Sequence, residues 1–196
     1  MNDINTILGI PTNKLTPKIG NVLISEPFLQ DIHFSRSIIY LVEHSEEGTI
    51  GLVINKKTDV LFSEIDEDFS SSLIPVHLGG PVDEDNLYYI HRAGNMVPNS
   101  VQIADDVYFG GDWSAIQDLI IEGILNQQNM KICLGYSGWT PLQLEEEIER
   151  KSWIVSDITP DTLFEYPESE LWRHLVQKLG TRYKNWLNFP VHPGLN

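Results

Sequence analysis

The segment SIIYLVEHSEEGTIGLVIN, residues 37–55, decides the reading of the fold. Its two apolar runs, Ser37 to Glu43 and Ile50 to Asn55, are rich in β-branched residues and flank the polar stretch His44-Ser45-Glu46-Glu47-Gly48-Thr49. Each run has the length of a strand rather than a helix, and the late glycine gives the backbone freedom that a hairpin turn needs. Two neighbouring buried strands are expected here, antiparallel to one another.

Further short runs of the same kind are Val22 to Ser25, Val76 to Leu78, Leu87 to Arg92, Val107 to Phe109, Lys131 to Tyr136 and Trp153 to Ser156. Helical patterns come later in the chain. Ser114 with Gln117 has capping-box spacing, and Ile116, Leu119, Ile120 and Ile124 follow at helical intervals. Thr140, Pro141 and Gln143 supply an N-cap, a first-turn proline and a side chain able to reach back, for a helix running to about Arg150. A third helix is expected from near Pro167 to Gly180, with Leu171, Trp172, Leu175 and Leu179 on one face. Strands early and helices late, without a βαβ rhythm, read as α+β. No linker or internal repeat divides residues 1–196, so one domain is expected.

The chain has 13 Lys+Arg against 28 Asp+Glu, a formal net charge of −15. This balance argues against coating nucleic acid or anionic lipid, where affinity comes from basic residues meeting phosphates. The excess acid lies entirely in residues 1–150. Beyond Glu170 there is no acid, and Arg173, Lys178, Arg182 and Lys184 alternate with Trp172, Tyr183, Trp186 and Phe189. A hydrophobic content of 41% is ample for a core. The single cysteine, Cys133, excludes an intramolecular disulfide, and the start of the chain lacks the basic and apolar regions of a targeting signal. With no apolar run long enough for a bilayer, a cytoplasmic protein without membrane contact is expected.

Recognisable phosphate loops are absent, and the six histidines show no metal-ligand spacing, so no cofactor or metal is expected. Three places carry polar chemistry. Gly135-Tyr136-Ser137-Gly138-Trp139 looks like a nucleophile elbow, except that Trp139 stands where the strained turn requires glycine. It reads either as a tight strand-to-helix turn with Trp139 packed on the core, or as an anion or carboxylate site using Ser137, Gly138 and first-turn amides. His77-Leu78-Gly79-Gly80-Pro81-Val82 is a turn leaving a sheet or a loop that lets a ligand approach. Arg36, His44 and Asn55 stand at strand ends that could share one rim. Among the acidic triplets, Glu145-Glu146-Glu147 reads as a solvated helix face in which Glu146 meets Arg150 and Glu147 meets Lys151.

In order along the chain, Gly20-x-Leu-Ile-x-x-Pro27, Asp31-x-x-Phe34-x-Arg36-Ser37, Glu43-His44-x-x-x-Gly48-x-x-Gly51-Leu-Val-Ile-Asn55, Gly79-Gly80-Pro81-Val82, Leu134-Gly135-Tyr136-Ser137-Gly138-Trp139-x-x-x-Gln143-Leu144-x-x-Glu147 and Trp153 resemble the bacterial AlgH/YqgE family. The resemblance covers residues 20 to about 180, leaving 1–15 and 181–196 as terminal extensions. It implies one α+β domain with a curved, mostly antiparallel, barrel-like sheet flanked by helices. It implies a link to transcriptional control, and no catalytic residues to carry over. Two positions depart from the family pattern: Ile32 replaces a proline, and Leu142 replaces a glycine.

These readings favour a regulatory or binding protein with a protein or small-molecule partner and an indirect effect on transcription. The partner surface is expected to include Arg36, His44, Asn55, Gly79, Gly80, Pro81, Ser137, Gly138 and Trp139. One alternative is an enzyme acting on a small or phosphorylated metabolite through Ser137 and His44. Another is direct DNA binding through the basic C-terminal segment.

Overall fold

The computed structural model describes residues 15–29, 31, 33–69 and 72–189. Among them ten strands form one sheet: β1 Asn21–Ser25, β2 Ile38–Ser45, β3 Gly48–Val53, β4 Lys57–Leu61, β5 Pro75–Leu78, β6 Val82–His91, β7 Val101–Ala104, β8 Val107–Phe109, β9 Met130–Trp139 and β10 Trp153–Asp157. The α-helices among the described residues are α1 Phe62–Ile65, α2 Trp113–Ile121, α3 Gln143–Glu149, α4 Pro160–Glu165 and α5 Glu168–Lys178, and a 3-10 turn covers Thr181–Asn188. The architecture is α+β and mostly antiparallel, as the sequence predicts.

The main path of the sheet is β10-β1-β2-β3-β9-β6-β8-β7, with β5 on β9 and β4 on β5. Its end strands, β10 and β7, do not pair with each other, so the expected barrel-like sheet is open. Residues 37–55 do form a hairpin, with Ser45 opposite Gly48 and a bulge between Leu41 and Glu43. Both faces of this hairpin are buried. Ile38, Tyr40 and Val42 pack towards α4, α5 and the 3-10 turn, while Ile39 and Leu41 pack with Leu144 and Trp153 on the other side. Burial on two faces is why the runs are continuously apolar rather than alternating. A separate cluster joins β5 and the start of β9 to α2 through Val76, Met130, Ile132, Ile116 and Leu119.

Several local expectations change. β4 and β7 are additional strands, and β6 and β9 are longer than their apolar runs. Gly135 to Trp139 is not a strand-to-helix junction: β9 continues through it, because Gly51, Ile50 and Thr49 of β3 pair with Ser137, Gly138 and Trp139. Ser114 lies inside α2, whose N-cap position is Asp112. The start of α3 keeps the expected reach-back, with Gln143 Oε1 accepting from the Thr140 amide at 3.0 Å.

Candidate functional site

The glycine-rich motifs meet where one connection crosses a strand. β5 runs parallel to β9 along one edge, with Leu78 opposite Leu134, and β6 runs antiparallel along the other, with Leu87 opposite Leu134. The chain between Leu78 and Val82 must therefore pass β9, and it does so at Gly135 to Ser137. A Cβ on Gly79 would lie 2.2 Å from the Gly135 carbonyl oxygen, and one on Gly80 would lie 2.2 Å from the Tyr136 carbonyl. Contacts this short exclude any side chain. Ser137 is fully buried, and its Oγ donates to the Gly79 carbonyl at 3.1 Å, clamping the crossing. No solvent-facing nucleophile is left at this position.

The other candidate residues fall in two places. Asn55 Oδ1 accepts from the Ile38 amide at 2.7 Å and its Nδ2 donates to the Arg36 carbonyl at 2.9 Å. Arg36, in a left-handed conformation at φ 52°, donates through Nη2 to the Phe189 carbonyl and lies 4.9 Å from the centroid of the Trp172 ring. Burial, reinforced by Arg173, lowers the Arg36 pKa. His44 is at the opposite end of β2, six residues from Ile38, or about 20 Å along a strand. Its Nδ1 meets Thr49 Oγ1 at 2.8 Å and its Nε2 lies 3.9 Å from Glu145. Arg36 and Asn55 thus share one end of the hairpin, and His44 does not join them.

Gly138 and Trp139 border a concavity of about 480 Å³ together with Tyr136, Val82 and the hairpin tip. Trp139 itself packs inward. Glu147 Oε2 accepts from the indole nitrogens of both Trp139, at 2.9 Å, and Trp153, at 2.7 Å. Glu147 therefore braces two tryptophans, whereas the sequence pairs it with Lys151; Glu146 does meet Arg150, at 3.2 Å.

A second cleft, of about 540 Å³, opens beside the crossing. Its floor is Leu78 and Leu134, with Gly80 at the crossing itself. Lys56 and His33 line it from the β2–β3 side, and Glu84 and Asp85 line it from an outward bulge of β6. Lys56 Nζ donates to the Ser35 carbonyl at 2.7 Å, and burial lowers its pKa. Among the described residues no carboxylate lies within 4.0 Å of Lys56, and no basic group within 4.0 Å of Glu84 or Asp85. A concavity of this volume, with an apolar floor and a few polar groups, has the size and character of a small-molecule site.

A polar cluster that the sequence does not reveal lies behind β5 and β9. Lys131, 1% exposed near the start of β9, donates from Nζ to Glu168 Oε1 at 2.9 Å, and His77 Nε2 approaches the same oxygen at 3.3 Å. The His77 and then the Lys131 contacts hold the Glu168 carboxyl well below the usual carboxylate range. Burial pushes the His77 pKa down, opposed by Glu168. Burial likewise pushes the Cys133 thiol up to about 12, leaving it unreactive. Among the described residues no group of three or more His, Cys, Asp or Glu is placed to hold a metal ion, and no helix is long and apolar enough to cross a membrane.

An open α+β sheet in which a glycine pair crosses β9, held by a buried serine, frames the cleft. The AlgH-like family profile matches residues 22–184, and the chain belongs to that family, whose function is uncharacterised. It is 42% identical over 198 residues to a UPF0301 protein of Parabacteroides distasonis, with both chains fully covered. A UPF0301 protein of Cytophaga hutchinsonii is 39% identical over 178 residues, covering 90% of this chain and 98% of the relative. The solution structure of the AlgH protein from Pseudomonas aeruginosa matches with a TM-score of 0.69 at 26% identity, covering 92% of this chain and all of that one. A crystal structure of a Corynebacterium diphtheriae protein has the same fold, with a TM-score of 0.77 at 21% identity over 93% of this chain and 97% of that one.

Proposed function

We propose that this protein is a non-enzymatic binding protein of the bacterial cytoplasm that regulates through what it holds, and that the cleft at the crossing is its site. The observation that carries this reading is the pairing of the 540 Å³ cleft with charged groups that lack ionic partners among the described residues. Lys56 is half-buried and loses solvation, a cost that a partner's counter-charge offsets, while Glu84 and Asp85 are exposed and open to a ligand's cationic group. Support also comes from the crossing, which fixes both rims of the cleft to β9 and so pre-organises it. The enzyme alternative loses its nucleophile, because Ser137 is sealed and bonded to the Gly79 carbonyl, while His44 meets Thr49. DNA contact by the C-terminal segment loses its stacking groups, because Trp172, Tyr183 and Trp186 are buried. An effect on transcription then runs through a partner.

The test is native mass spectrometry of the purified protein after equilibration with the low-molecular-weight fraction of a bacterial lysate. A retained small molecule is expected with the wild type, and its loss with Leu78→Trp, which fills the cleft from an exposed position. No adduct, or one indifferent to Leu78→Trp, refutes this assignment.

A further inference from the structure

The register across the cleft constrains the shape of its occupant; this inference rests on the cleft being the binding site. The Leu78 amide donates to the Lys56 carbonyl at 2.9 Å, placing Lys56 beside β5. Leu78 is opposite Leu134 on β9, and the Glu84 Cα lies 3.3 Å from where a Cβ on Gly135 would sit. The cationic margin and the acidic margin are therefore two to three strand spacings apart, about 10–14 Å between backbones. Side chains reaching inward shorten that gap, and the floor between them is apolar, with Leu78 53% exposed.

Among the described residues neither Lys56 nor Glu84 and Asp85 has an ionic partner. Lys56 keeps two ammonium donors beyond the one given to Ser35. Asp83 is turned to other work, accepting from Asn86 Nδ2 at 2.7 Å and from the Tyr88 hydroxyl at 2.5 Å. Glu84 and Asp85 have no such partners among the described residues.

We infer that the cleft takes a short peptide with free termini, its carboxylate at Lys56 and His33, its ammonium at Glu84 and Asp85, and its apolar side chains on Leu78 and Leu134. An extended dipeptide or tripeptide spans about 7–10 Å, which matches the gap once side chains reach in. A free amino acid is too short to meet both margins. A simple anion or cation satisfies only one of them and leaves the leucine floor wet. A long peptide carries its termini past the charged groups.

The experiment is a titration of the isotopically labelled protein with the tripeptide Ala-Leu-Ala, followed by amide chemical shifts. Shifts at Leu78, Gly80 and Leu134 are expected, with affinity weakened tenfold or more by N-acetylation or by C-terminal amidation. Lys56→Met should abolish the penalty for amidation while leaving that for acetylation. The pair Glu84→Gln with Asp85→Asn should do the reverse. Absence of shifts, or equal binding of capped and uncapped peptides, overturns the ligand class. If the lysate ligand still binds and is lost in Leu78→Trp, the site stands and only the peptide assignment falls; if neither binds, both fall.

Discussion

Lys131 Nζ lies 2.9 Å from Glu168 Oε1, joining the start of β9 to the first residue of α5. The lysine side chain is 2% exposed and the glutamate 25%, so the ion pair is inside the protein on one side and open to water on the other. Such a pair contributes little net stability when both members are present, but removing one leaves a buried charge without compensation. Glu168→Ala is expected to cost about 3 kcal/mol, the lower end of the range for breaking a buried pair, because water can reach part of the site. Lys131→Met alone should be destabilising too, and Lys131→Met combined with Glu168→Ala should recover most of the Glu168→Ala loss. Urea unfolding of the two singles and the double gives the coupling directly, and additive losses would show that the pair is not coupled.

The same cluster sets a pH dependence. A histidine held below its ordinary 6.5 in the folded state takes up a proton more readily when unfolded, so stability falls as pH drops through 6.5 and levels off below the folded value. The Glu168 carboxyl, held low when folded, contributes stability that is complete above its ordinary 4.5 and is lost at lower pH. Buried His91 and the more open His174 shift in the same direction as His77. Melting temperature should therefore decline from pH 7.5 to 5 and decline again below 4.5. His77→Gln should flatten part of the first slope, and an unchanged slope would remove His77 from this account.

At the crossing, the cost of a methyl group depends on what it meets. Gly123, at φ 74° with open space around it, should tolerate alanine for about 1–2 kcal/mol, the left-handed penalty alone. Gly80→Ala places a carbon 2.2 Å from the Tyr136 backbone and should prevent accumulation of soluble protein. Ser137→Ala removes the buried bond to Gly79 and should cost about 1–3 kcal/mol, as expected when a buried carbonyl loses its donor. Ligand retention in the Ser137→Ala protein separates this structural role from a direct ligand contact.

How much of this was visible in the chain depends on sequence distance. The β2–β3 hairpin was readable because its two apolar runs and its glycine lie within nineteen residues, 37–55. The third helix was readable for the same reason, with Pro167 at its start and Gly180 at φ 98° just past its end. The Gly135 to Trp139 stretch misled because two glycines imitate a loop; pairing with β3, eighty-eight positions away for Ile50 and Gly138, holds it as strand. The site suffers most from this limitation. Lys131 stands in an apolar run that reads as an ordinary buried strand, and its partner is 37 residues away on a helix. Lys56 and Glu84 look like two surface charges until the crossing brings their margins together. Helical spacing points Glu147 at Lys151 and carries no information about the indoles of Trp139 and Trp153.

Asn55 gives the sharpest separation between fold and site. Its amide accepts from the Ile38 N–H and donates to the Arg36 carbonyl, so the side chain supplies both bonds that a strand neighbour would have made. The bonds secure the chain just before β2, where Arg36 takes its left-handed turn. Asn55→Ala leaves two half-buried backbone groups without these partners and should cost about 2–3 kcal/mol, with Asn55→Asp little better because a carboxylate cannot donate to the Arg36 carbonyl. Yet Asn55 does not line the cleft, whereas the next residue, Lys56, does. A structural Asn55 therefore lowers the unfolding midpoint while leaving ligand affinity within twofold at temperatures where the variant is folded; Lys56→Met should do the opposite, weakening the ligand with little change in midpoint. Parallel melting and binding curves for the two variants decide it. A tenfold affinity loss in folded Asn55→Ala would place Asn55 in the binding site, as its position at the strand end first suggested.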